Sequence, residues 1–404
     1  MITISHPDKI LRGKIRLPAS KSISNRALII RAVSGHFFQI SNLSQATDTT
    51  ILERLITSDP YELNCGDGGT TMRFLLSLLV LREKECIVNG SDQLQKRPVK
   101  PLVDALNSLG ASIEYVNKND CLPLKINSSV LKGGKLQMDA SISSQFTSAL
   151  MMIAPYLPGG LEIQLSGKIA SHSYIKMTAA LMFKFGVEVQ ISDHSVLIPQ
   201  SEYKPVDIFI EPDWSAASYW LEAAALSIRS DFVLENLSVK SFQGDAIALE
   251  LIHHFGVRCK EVENGIRVVK NSELINKNFE HDFSDNPDLV PAFAILCAAK
   301  GINGRLSGLE TLRWKESDRI QALQILIGII GCKSEYSKGS LEIIPGTISE
   351  PSSPLPVFND HRMAMCLAPL SLVLSEIIIK DPGVVSKSYP GIWEELSKTG
   401  FRVV

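Results

Sequence analysis

The chain changes from strand to helix within the stretch Leu17-Pro18-Ala19-Ser20-Lys21-Ser22-Ile23-Ser24-Asn25-Arg26-Ala27-Leu28. Residues 14–17 alternate like a short strand, and Pro18 stops that strand. Residues 27–33 predict a helix that ends at Gly35. Ser20, Lys21 and Ser22 therefore lie at a helix start, where backbone N–H groups and the helix dipole favour an anion. A serine N-cap beside two solvated cations is the alternative interpretation.

A helix-to-strand pattern recurs along the chain. Helical segments end at a glycine and a β-rich run follows at once, at Gly110, Gly186, Gly256, Gly331 and Gly400. Glycine suits these positions because it adopts the left-handed conformation that ends a helix without a Cβ clash. With a weaker first copy near residues 51–63, the pattern predicts six α/β units of roughly 65–75 residues. Prolines within residues 199–212 indicate a division into two domains of three units.

The composition limits the classes of function. Of 404 residues, 45% are hydrophobic and 21% are charged, and the net charge is −2. This balance predicts a globular protein and argues against bulk binding of nucleic acid or of an acidic membrane. The seven cysteines form no CxxC pair, which indicates a reduced, cytoplasmic protein without a zinc site. Neither a signal-peptide pattern nor an apolar run of about 18 residues is present, so no membrane span is expected.

Further helices are predicted to begin at clusters of hydroxyl, glycine or charged residues. These clusters lie at residues 65–73, 96–98, 141–146, 171–174, 284–291, 313–320, 358–365 and 381–390. Each one alone could be an N-cap, a glycine turn, a solvated basic loop or a salt-bridged helix start. If the helix starts converged, they would form an anion pocket. Helical spacing also predicts Lys315 and Arg319 on one helix face with Glu316 beside them.

Nine motifs occur in one order: Leu-Pro-x-Ser-Lys-Ser-x-Ser-Asn-Arg-Ala, Gly-Thr-x-Met-Arg, Arg-Pro, Ser-Ser-Gln-Phe, Ser-Tyr-Ile, Pro-Asp, Lys-Glu-Ser-Asp-Arg, Asn-Asp-His-Arg-Met-Ala and Asp-Pro-x(4)-Lys-x-(Tyr/Phe)-Pro. In this set the chain resembles the 5-enolpyruvylshikimate-3-phosphate (EPSP) synthase family over about residues 13–387. The resemblance implies an α/β fold of two similar domains, each of three repeated units in an inverse α/β barrel-like arrangement. The active site would lie in the cleft between them.

The expected domains are residues 12–211, on the shikimate 3-phosphate side, and residues 212–404, completed by residues 1–11. The resemblance implies transfer of the enolpyruvyl group of phosphoenolpyruvate to the 5-hydroxyl of shikimate 3-phosphate, with release of phosphate. It implies no cofactor and no metal, and we expect a cytoplasmic monomer without nucleic-acid or membrane partners. Because both substrates are anions, the site must supply several cations in a chain with slightly negative net charge.

The resemblance also assigns roles to matching residues. Shikimate 3-phosphate would be held by Lys21, Ser22, Arg26, Ser143, Ser144, Gln145, Ser171, Asp288, Thr311 and Lys315. Phosphoenolpyruvate would be held by Lys21, Gly69, Arg97, Gln145, Arg319, Arg362 and Lys387. Asp288 would take the proton from the 5-hydroxyl, and Glu316 would deliver a proton to the methylene carbon and later remove one. Lys21 and His361 would assist the catalysis.

The resemblance further implies inhibition by glyphosate, which competes with phosphoenolpyruvate and is slightly longer. Gly69 has no Cβ, so we expect an added methyl to obstruct the longer ligand and spare the shorter one. Four residues depart from the common family pattern: Asp67, Phe74, Trp214 and Thr311. Two alternatives stay open. One is a UDP-N-acetylglucosamine enolpyruvyl transferase, and the other is a non-catalytic phosphometabolite-binding relative.

Overall fold

The strand-to-helix change at Ser20 is present in the computed structural model, which describes residues 1–58, 60–270 and 276–404. Helix α1 (Lys21–Ser34) begins at Ser20, whose hydroxyl accepts a hydrogen bond from the Ile23 N–H. The helix ends at Gly35 in the left-handed conformation. The prediction for this segment is confirmed.

The other helices are α2 (Thr47–Thr57), α3 (Gly69–Leu81), α4 (Asp92–Gln95), α5 (Lys100–Ser108), α6 (Ser144–Ile153), α7 (His172–Lys184), α8 (Trp214–Leu226), α9 (Ala248–Leu251), α10 (Val290–Lys300), α11 (Arg319–Ile329), α12 (His361–Leu367) and α13 (Ile392–Lys398). Short 3₁₀ helices span Ala154–Tyr156, Gly244–Ile247, Ile252–Phe255, Glu310–Trp314, Ala368–Leu372 and Pro382–Lys387. In the part of the chain that the structure describes, none of the helices has the length and apolar character needed to cross a bilayer.

The strands are β1 (Ile2–Ser5), β2 (Ile10–Ile15), β3 (Ile40–Ser41), β4 (Glu62–Asn64), β5 (Cys86–Asn89), β6 (Ser112–Tyr115), β7 (Leu124–Asn127), β8 (Gly134–Asp139), β9 (Leu161–Ser166), β10 (Gln190–Ile191), β11 (Ser195–Ile198), β12 (Ile208–Phe209), β13 (Arg229–Glu235), β14 (Val257–Val262), β15 (Gly265–Lys270), β16 (Asn278–Asp282), β17 (Asn303–Ser307), β18 (Lys333–Ser337), β19 (Ser340–Ile344), β20 (Ile377–Ile379) and β21 (Arg402–Val403).

Two compact units divide the chain. The inserted unit is Ala19–Ile210, and the split unit joins Met1–Pro18 to Glu211–Val404. The sequence predicted the first boundary after residue 11, whereas the structure has it after Pro18. The reason is that β2 pairs in parallel with β13 of the split unit, from Ile10 opposite Arg229 to Ile15 opposite Leu234.

Four sheets share one topology. Their strand orders are β2-β13-β15-β14, β4-β5-β7-β6, β8-β9-β11-β10 and β16-β17-β19-β18. In each sheet the first pair is parallel, and an antiparallel hairpin completes the sheet. The remaining sheets are β20-β1-β21 in the split unit and β12-β3 in the inserted unit, so the described residues form three sheets in each unit.

The repeat-ending glycines have the backbone conformation that the sequence predicted. Gly110, Gly186, Gly256, Gly331 and Gly400 all have positive φ, between 80° and 104°. A side chain is rarely tolerated in that region, whereas glycine reaches it without strain. The turn from helix to strand in each repeat therefore depends on a residue without a Cβ.

The core of each unit is helical. All thirteen residues of α8 are buried, as are ten of the eleven residues of α10. In the inserted unit, α3 and α6 are buried almost all round. Strands such as β9 instead alternate buried and more exposed positions. Helices that are apolar on every face must lie inside, with the sheets as the outer layer.

Glu222 breaks the apolar pattern of α8. It is 1% exposed, and neither carboxyl oxygen has a hydrogen-bond partner. Burial raises the pKa of Glu222 well above its ordinary value, so the group is neutral when folded. In the unfolded chain the carboxyl ionises above about pH 4.3. The free energy of unfolding is therefore lowered by Glu222 as the pH rises above that value.

We expect Glu222→Gln to raise the melting temperature at pH 8 by at least about 2–4 °C, the shift for roughly 1 kcal/mol. The gain should shrink toward pH 5, because the free-energy cost of keeping Glu222 neutral falls as the pH approaches the unfolded pKa of about 4.3. Thermal denaturation at pH 5, 6.5 and 8 measures this, with exposed Glu250→Gln as the matched control. An equal shift at all three pH values would contradict the assignment of Glu222 as a neutral buried acid.

Candidate active site

The first two turns of α1 carry two cations in different settings. Lys21 lies at the helix start and forms an ion pair with Asp48 of α2, with 3.0 Å between Nζ and Oδ2. Arg26 lies one turn further in and is 1% exposed. Its guanidinium donates to Thr178 Oγ1 at 2.7 Å and to Ser148 Oγ at 3.1 Å. Burial among these neutral acceptors lowers the pKa of Arg26 to about 10.

Arg73 of α3 is the second buried cation of the inserted unit. It donates to Gln145 Oε1 at 2.5 Å and to the Pro98 carbonyl at 2.7 Å. Burial, with a smaller effect from Arg97, lowers the pKa of Arg73 well below its ordinary value. Gln145 Nε2 in turn donates to Thr70 Oγ1 at 3.0 Å. Because Arg73 binds the amide oxygen of Gln145, the amide nitrogen is the end that faces Thr70.

Gly69 begins α3 directly beneath Arg97. A Cβ built on Gly69 would overlap the Arg97 guanidinium, to within 2.5 Å of Cζ. The expectation that a methyl here would obstruct the longer ligand stays a prediction, and the structure adds that the methyl would also meet the end of the Arg97 side chain. A substitution would have to displace a predicted phosphoenolpyruvate contact.

Two serine clusters begin α6 and α7. Ser143 caps α6 and accepts the Gln145 N–H at 3.3 Å, while Ser144, the first helical residue, is buried. Ser171 precedes α7 in the left-handed conformation, with φ of 56°, and makes no side-chain cap. The side-chain cap is thus present at Ser143 and absent at Ser171, whose backbone lies in the left-handed region.

Hydrogen bonds connect these helix starts within the inserted unit. Arg26 joins α1 to α6 and α7, Arg73 joins α3 to α6, and Lys21 joins α1 to α2. Thr71 Oγ1 also donates to the Asp48 carbonyl at 2.7 Å. The convergence that the sequence left open is present. Hydroxyls, amides and cations from several helix starts gather in one region of this unit, which suits an anionic ligand.

In the split unit, Asp288 is clamped by two guanidinium groups. It lies just before α10, in the Pro-flanked turn that the sequence singled out. Its Oδ1 accepts Arg319 Nη1 at 3.0 Å, and its Oδ2 accepts Arg362 Nη2 at 2.8 Å. Arg362 Nη1 also lies 3.4 Å from the hydroxyl of Tyr219. The carboxylate and both cations are largely withdrawn from water.

Asp360 anchors the other side of Arg319. Its Oδ2 accepts Arg319 Nε at 2.8 Å, and its Oδ1 accepts the Arg362 N–H at the start of α12. Burial alone would lower the pKa of Arg319, but Asp360 and Asp288 together raise it. Burial alone would raise the pKa of Asp360, but Arg319 holds it below its ordinary value. The pair is therefore charged in the folded protein.

Glu316 and His361 form the third polar contact of this region. His361 Nδ1 lies 2.7 Å from Glu316 Oε2, and both side chains are nearly buried. The predicted grouping of Lys315, Glu316 and Arg319 on one helix is wrong. Lys315 is extended at the end of a 3₁₀ helix, and α11 begins only at Arg319 because Asp318 caps it. Glu316 forms a hydrogen bond with His361 of α12.

The remaining predicted residues lie in 3₁₀ helices of the split unit. Lys387 is buried, and its Nζ donates to the Asn359 carbonyl at 3.0 Å. Thr311 is buried four residues before Lys315. Trp214, one of the departures from the family pattern, is fully buried as the first residue of α8. Phe74, another, is buried beneath Arg26, with 5.2 Å from its ring centroid to Cζ.

Among residues 1–58, 60–270 and 276–404, one group has the spacing of possible metal ligands. Oxygen or nitrogen atoms of Glu316, Asp360 and His361 lie within 4.8 Å of one another. Both oxygens of Asp360 already accept from Arg319, and Glu316 bonds to His361. The donor set is thus engaged in ion pairs and hydrogen bonds.

Sequence reasoning missed several residues that complete these contacts: Asp48, Ser148, Thr178, Tyr219, Asp245, Asn286 and Asp360 as the partner of Arg319. Most lie far along the chain from the residue that they contact. No local sequence pattern identifies them, because a single polar residue within an apolar segment does not indicate which distant residue it contacts.

The EPSP synthase (3-phosphoshikimate 1-carboxyvinyltransferase) family matches residues 51–396. A 3-phosphoshikimate 1-carboxyvinyltransferase from Bacteroides fragilis (strain YCH46) is 39% identical over 403 residues, which cover 99% of this chain and 98% of that protein. One from Syntrophobacter fumaroxidans is 34% identical over 413 residues, covering 96% and 97%.

Two solved structures share the fold. EPSP synthase from Acinetobacter baumannii superposes with a TM-score of 0.77 at 20% identity, covering 100% of this chain and 99% of that one. The enolpyruvyl transferase NikO from Streptomyces tendae gives a TM-score of 0.76 at 16% identity, covering 100% and 98%. At these identities the likeness concerns the fold alone. On the family match and on the closely similar curated relatives, the chain belongs to the EPSP synthase (3-phosphoshikimate 1-carboxyvinyltransferase) family.

Proposed function

We propose that this chain transfers the enolpyruvyl group of phosphoenolpyruvate to the 5-hydroxyl of shikimate 3-phosphate and releases phosphate. The observation that carries the proposal is Asp288 held by Arg319 and Arg362, with the Glu316–His361 pair in the same unit. A base, an acid and two carboxylate-binding cations are the groups that this addition–elimination needs. The function belongs to the family, and the role of each residue is our assignment.

The inserted unit supplies the hydroxyls and cations for shikimate 3-phosphate. Ser143, Ser144, Ser171 and Gln145 offer hydroxyl, amide and backbone donors at helix starts, where phosphate is favoured. Arg26 is buried among neutral acceptors, so a nearby dianion would restore the charge balance that the folded protein lacks. Lys21 and Ser22 lie at the start of the same helix.

The split unit supplies the proton transfers. Asp288 takes the 5-hydroxyl proton as the oxygen attacks C2 of phosphoenolpyruvate, and Glu316 protonates the methylene carbon. A tetrahedral adduct results. Glu316 then removes one proton from the new methyl group, phosphate leaves C2, and the double bond re-forms. His361 holds the carboxyl group of Glu316 in one orientation throughout.

Arg319 and Arg362 have a second role in this scheme. Without substrate they neutralise Asp288 and so weaken it as a base. The carboxylate of phosphoenolpyruvate is an alternative partner for the same two guanidinium groups. Arrival of the substrate would therefore loosen the hold on Asp288 and strengthen the base when it is needed.

A cytoplasmic setting is also part of the proposal. The seven cysteines all lie among the described residues and form no disulfide, and five of them are buried. Buried cysteines outside disulfides suit a reducing compartment.

The direct test is release of phosphate from phosphoenolpyruvate. We expect release with shikimate 3-phosphate and none with UDP-N-acetylglucosamine or without an acceptor. A nucleotide-sugar substrate is disfavoured because Ser22 follows Lys21 and no cysteine lies in residues 91–96. Release with UDP-N-acetylglucosamine would assign the chain to the other reaction. Absence of release with either acceptor, together with binding of shikimate 3-phosphate, would indicate a non-catalytic relative.

We expect Asp288→Asn to lower kcat by about 10²–10⁴-fold, the usual range for loss of a general base. Asparagine keeps the size of the side chain but accepts no proton. The KM for shikimate 3-phosphate should change little, because the proposed phosphate contacts lie in the inserted unit. Steady-state kinetics and calorimetric binding measure both quantities. A kcat near that of the wild type would remove Asp288 from the role of base.

We expect Gly69→Ala to raise the KM for phosphoenolpyruvate several-fold and the inhibition constant of glyphosate by a larger factor. The methyl displaces the Arg97 guanidinium and also narrows the space for the longer ligand. Inhibition curves at fixed shikimate 3-phosphate give both constants. Gly328→Ala is the control, because nothing lies within 4 Å of a Cβ there. An unchanged KM would show that Arg97 moves aside without cost.

A further inference from the structure

Asp245 is a buried carboxylate close to the proposed base. It lies in the 3₁₀ helix Gly244–Ile247 and is 4% exposed. Its Oδ2 accepts the hydroxyl of Ser215 at 2.5 Å, and its Oδ1 accepts the amide of Asn286 at 3.2 Å. Both donors are neutral, so neither offsets the charge. A buried carboxylate held only by neutral donors costs stability, which calls for a reason beyond packing.

The amide of Asn286 connects Asp245 to Asp288. Asn286 is itself buried and lies two residues before Asp288 in the same turn. Its N–H donates to the Phe283 carbonyl, and its carbonyl accepts the Leu289 N–H, each at 3.0 Å. Asn286 therefore shapes the turn with its backbone, while its side chain is tied to Asp245. A change at Asp245 would be passed to the carboxylate of Asp288 through this short rigid segment.

The two carboxylates also interact through their charges. Burial first, and then the charge of Asp288, raises the pKa of Asp245 to about 6, while Ser215, Arg362 and Asn286 oppose that shift. A charge–charge interaction acts equally on both partners. The negative charge of Asp245 therefore disfavours the ionised form of Asp288 and offsets part of the effect of Arg319 and Arg362.

We propose that Asp245 is a positioning residue for Asp288, holding its turn through Asn286 and strengthening it as a base with a second negative charge. The proposal rests on the proposed function, in which Asp288 accepts the proton of the 5-hydroxyl. Asp245 contacts no reacting atom and acts only through its neighbours.

The proposal predicts a specific pH dependence. Above about pH 6 Asp245 is ionised and supports the base, and below that pH it becomes neutral and the support is lost. Asp288 and Arg362 face Asp245 as charged groups, Ser215 and Asn286 face it as neutral donors, and beyond them Arg319 pairs with Asp360. In wild type, kcat at saturating substrates should therefore fall as the pH is lowered from 7.5 to 5.5.

The experiment is the pH profile of kcat for the full chain with both substrates saturating. Asp245→Asn keeps the shape and removes the charge. We expect its kcat at pH 7.5 to be about threefold to tenfold lower, with KM values within twofold and a flatter profile from pH 5.5 to 7.5. Asp231→Asn is the matched control, since Asp231 is an exposed aspartate of the same unit paired with Arg267. Its profile should match that of wild type, including any titration of the substrates.

A second variant keeps the Asp245 carboxyl group but raises the pH at which it loses its charge. Ser215→Ala removes a hydrogen bond that favours the ionised form of Asp245, so the fall in kcat should begin at a higher pH than in wild type. This result decides the question even if Asp245→Asn does not fold. The inference is overturned if both folded variants keep the wild-type profile, or if Ser215→Ala alone folds and keeps it. If wild type itself releases no phosphate with shikimate 3-phosphate, the proposed function fails and not this assignment.

Discussion

The polar residues of the split unit are held in place by the ion pairs of Arg319. A guanidinium that is 2% exposed lies between Asp288 and Asp360, and each carboxylate belongs to a different segment. The three groups join the start of α11 to the turn before α10 and to the start of α12. Removing one member would leave a buried charge without its partner, which is far more costly than losing an exposed pair. The network therefore fixes the spacing of Asp288, Asp360 and the two arginines Arg319 and Arg362.

In the inserted unit, the buried arginines Arg26 and Arg73 donate hydrogen bonds to neutral groups and not to carboxylates. Arg26 is surrounded by hydroxyl and carbonyl oxygens, and Arg73 by an amide and a carbonyl. Neutral acceptors satisfy the geometry of a guanidinium but do not cancel its charge, and burial accordingly lowers the pKa of both residues. Without a bound anion, the folded protein therefore carries the free-energy cost of these two buried charges. Such a site favours ligands of high negative charge over neutral ligands of the same shape.

Local features of the sequence predicted much of this structure. The repeat-ending glycines mark turns because only their backbone conformation allows a strand to follow a helix so directly. Ser20 and Ser143 lie at helix starts, and the Asp288 turn lies before α10. These features depend on neighbours within a few residues, which is the range over which sequence patterns carry physical information.

The parts that sequence did not predict depend on distant partners. Asp48 meets Lys21, and Asp245 meets Asn286, across 27 and 41 residues respectively. Arg97 covers Gly69 from another loop, so the consequence of a methyl there could not be read from the glycine alone. The Lys315–Arg319 error has a different cause. A helix could begin at either of two places in that segment. Asp318 caps the later start, so α11 begins at Arg319 and Lys315 is extended.

The ion pairs of Asp288 bear on how substrate binding is coupled to catalysis. A site whose cations were unpaired would bind phosphoenolpyruvate more tightly, but its base would be ionised and active in every state. In the proposed mechanism the incoming carboxylate would compete with Asp288 for the same two guanidinium groups, so part of the binding energy would be spent on freeing the base. Binding energy used in this way lowers the affinity for the ground state and supports the later step instead. In our proposal Asp245 would act in the same direction, since a second negative charge near Asp288 would make that exchange easier.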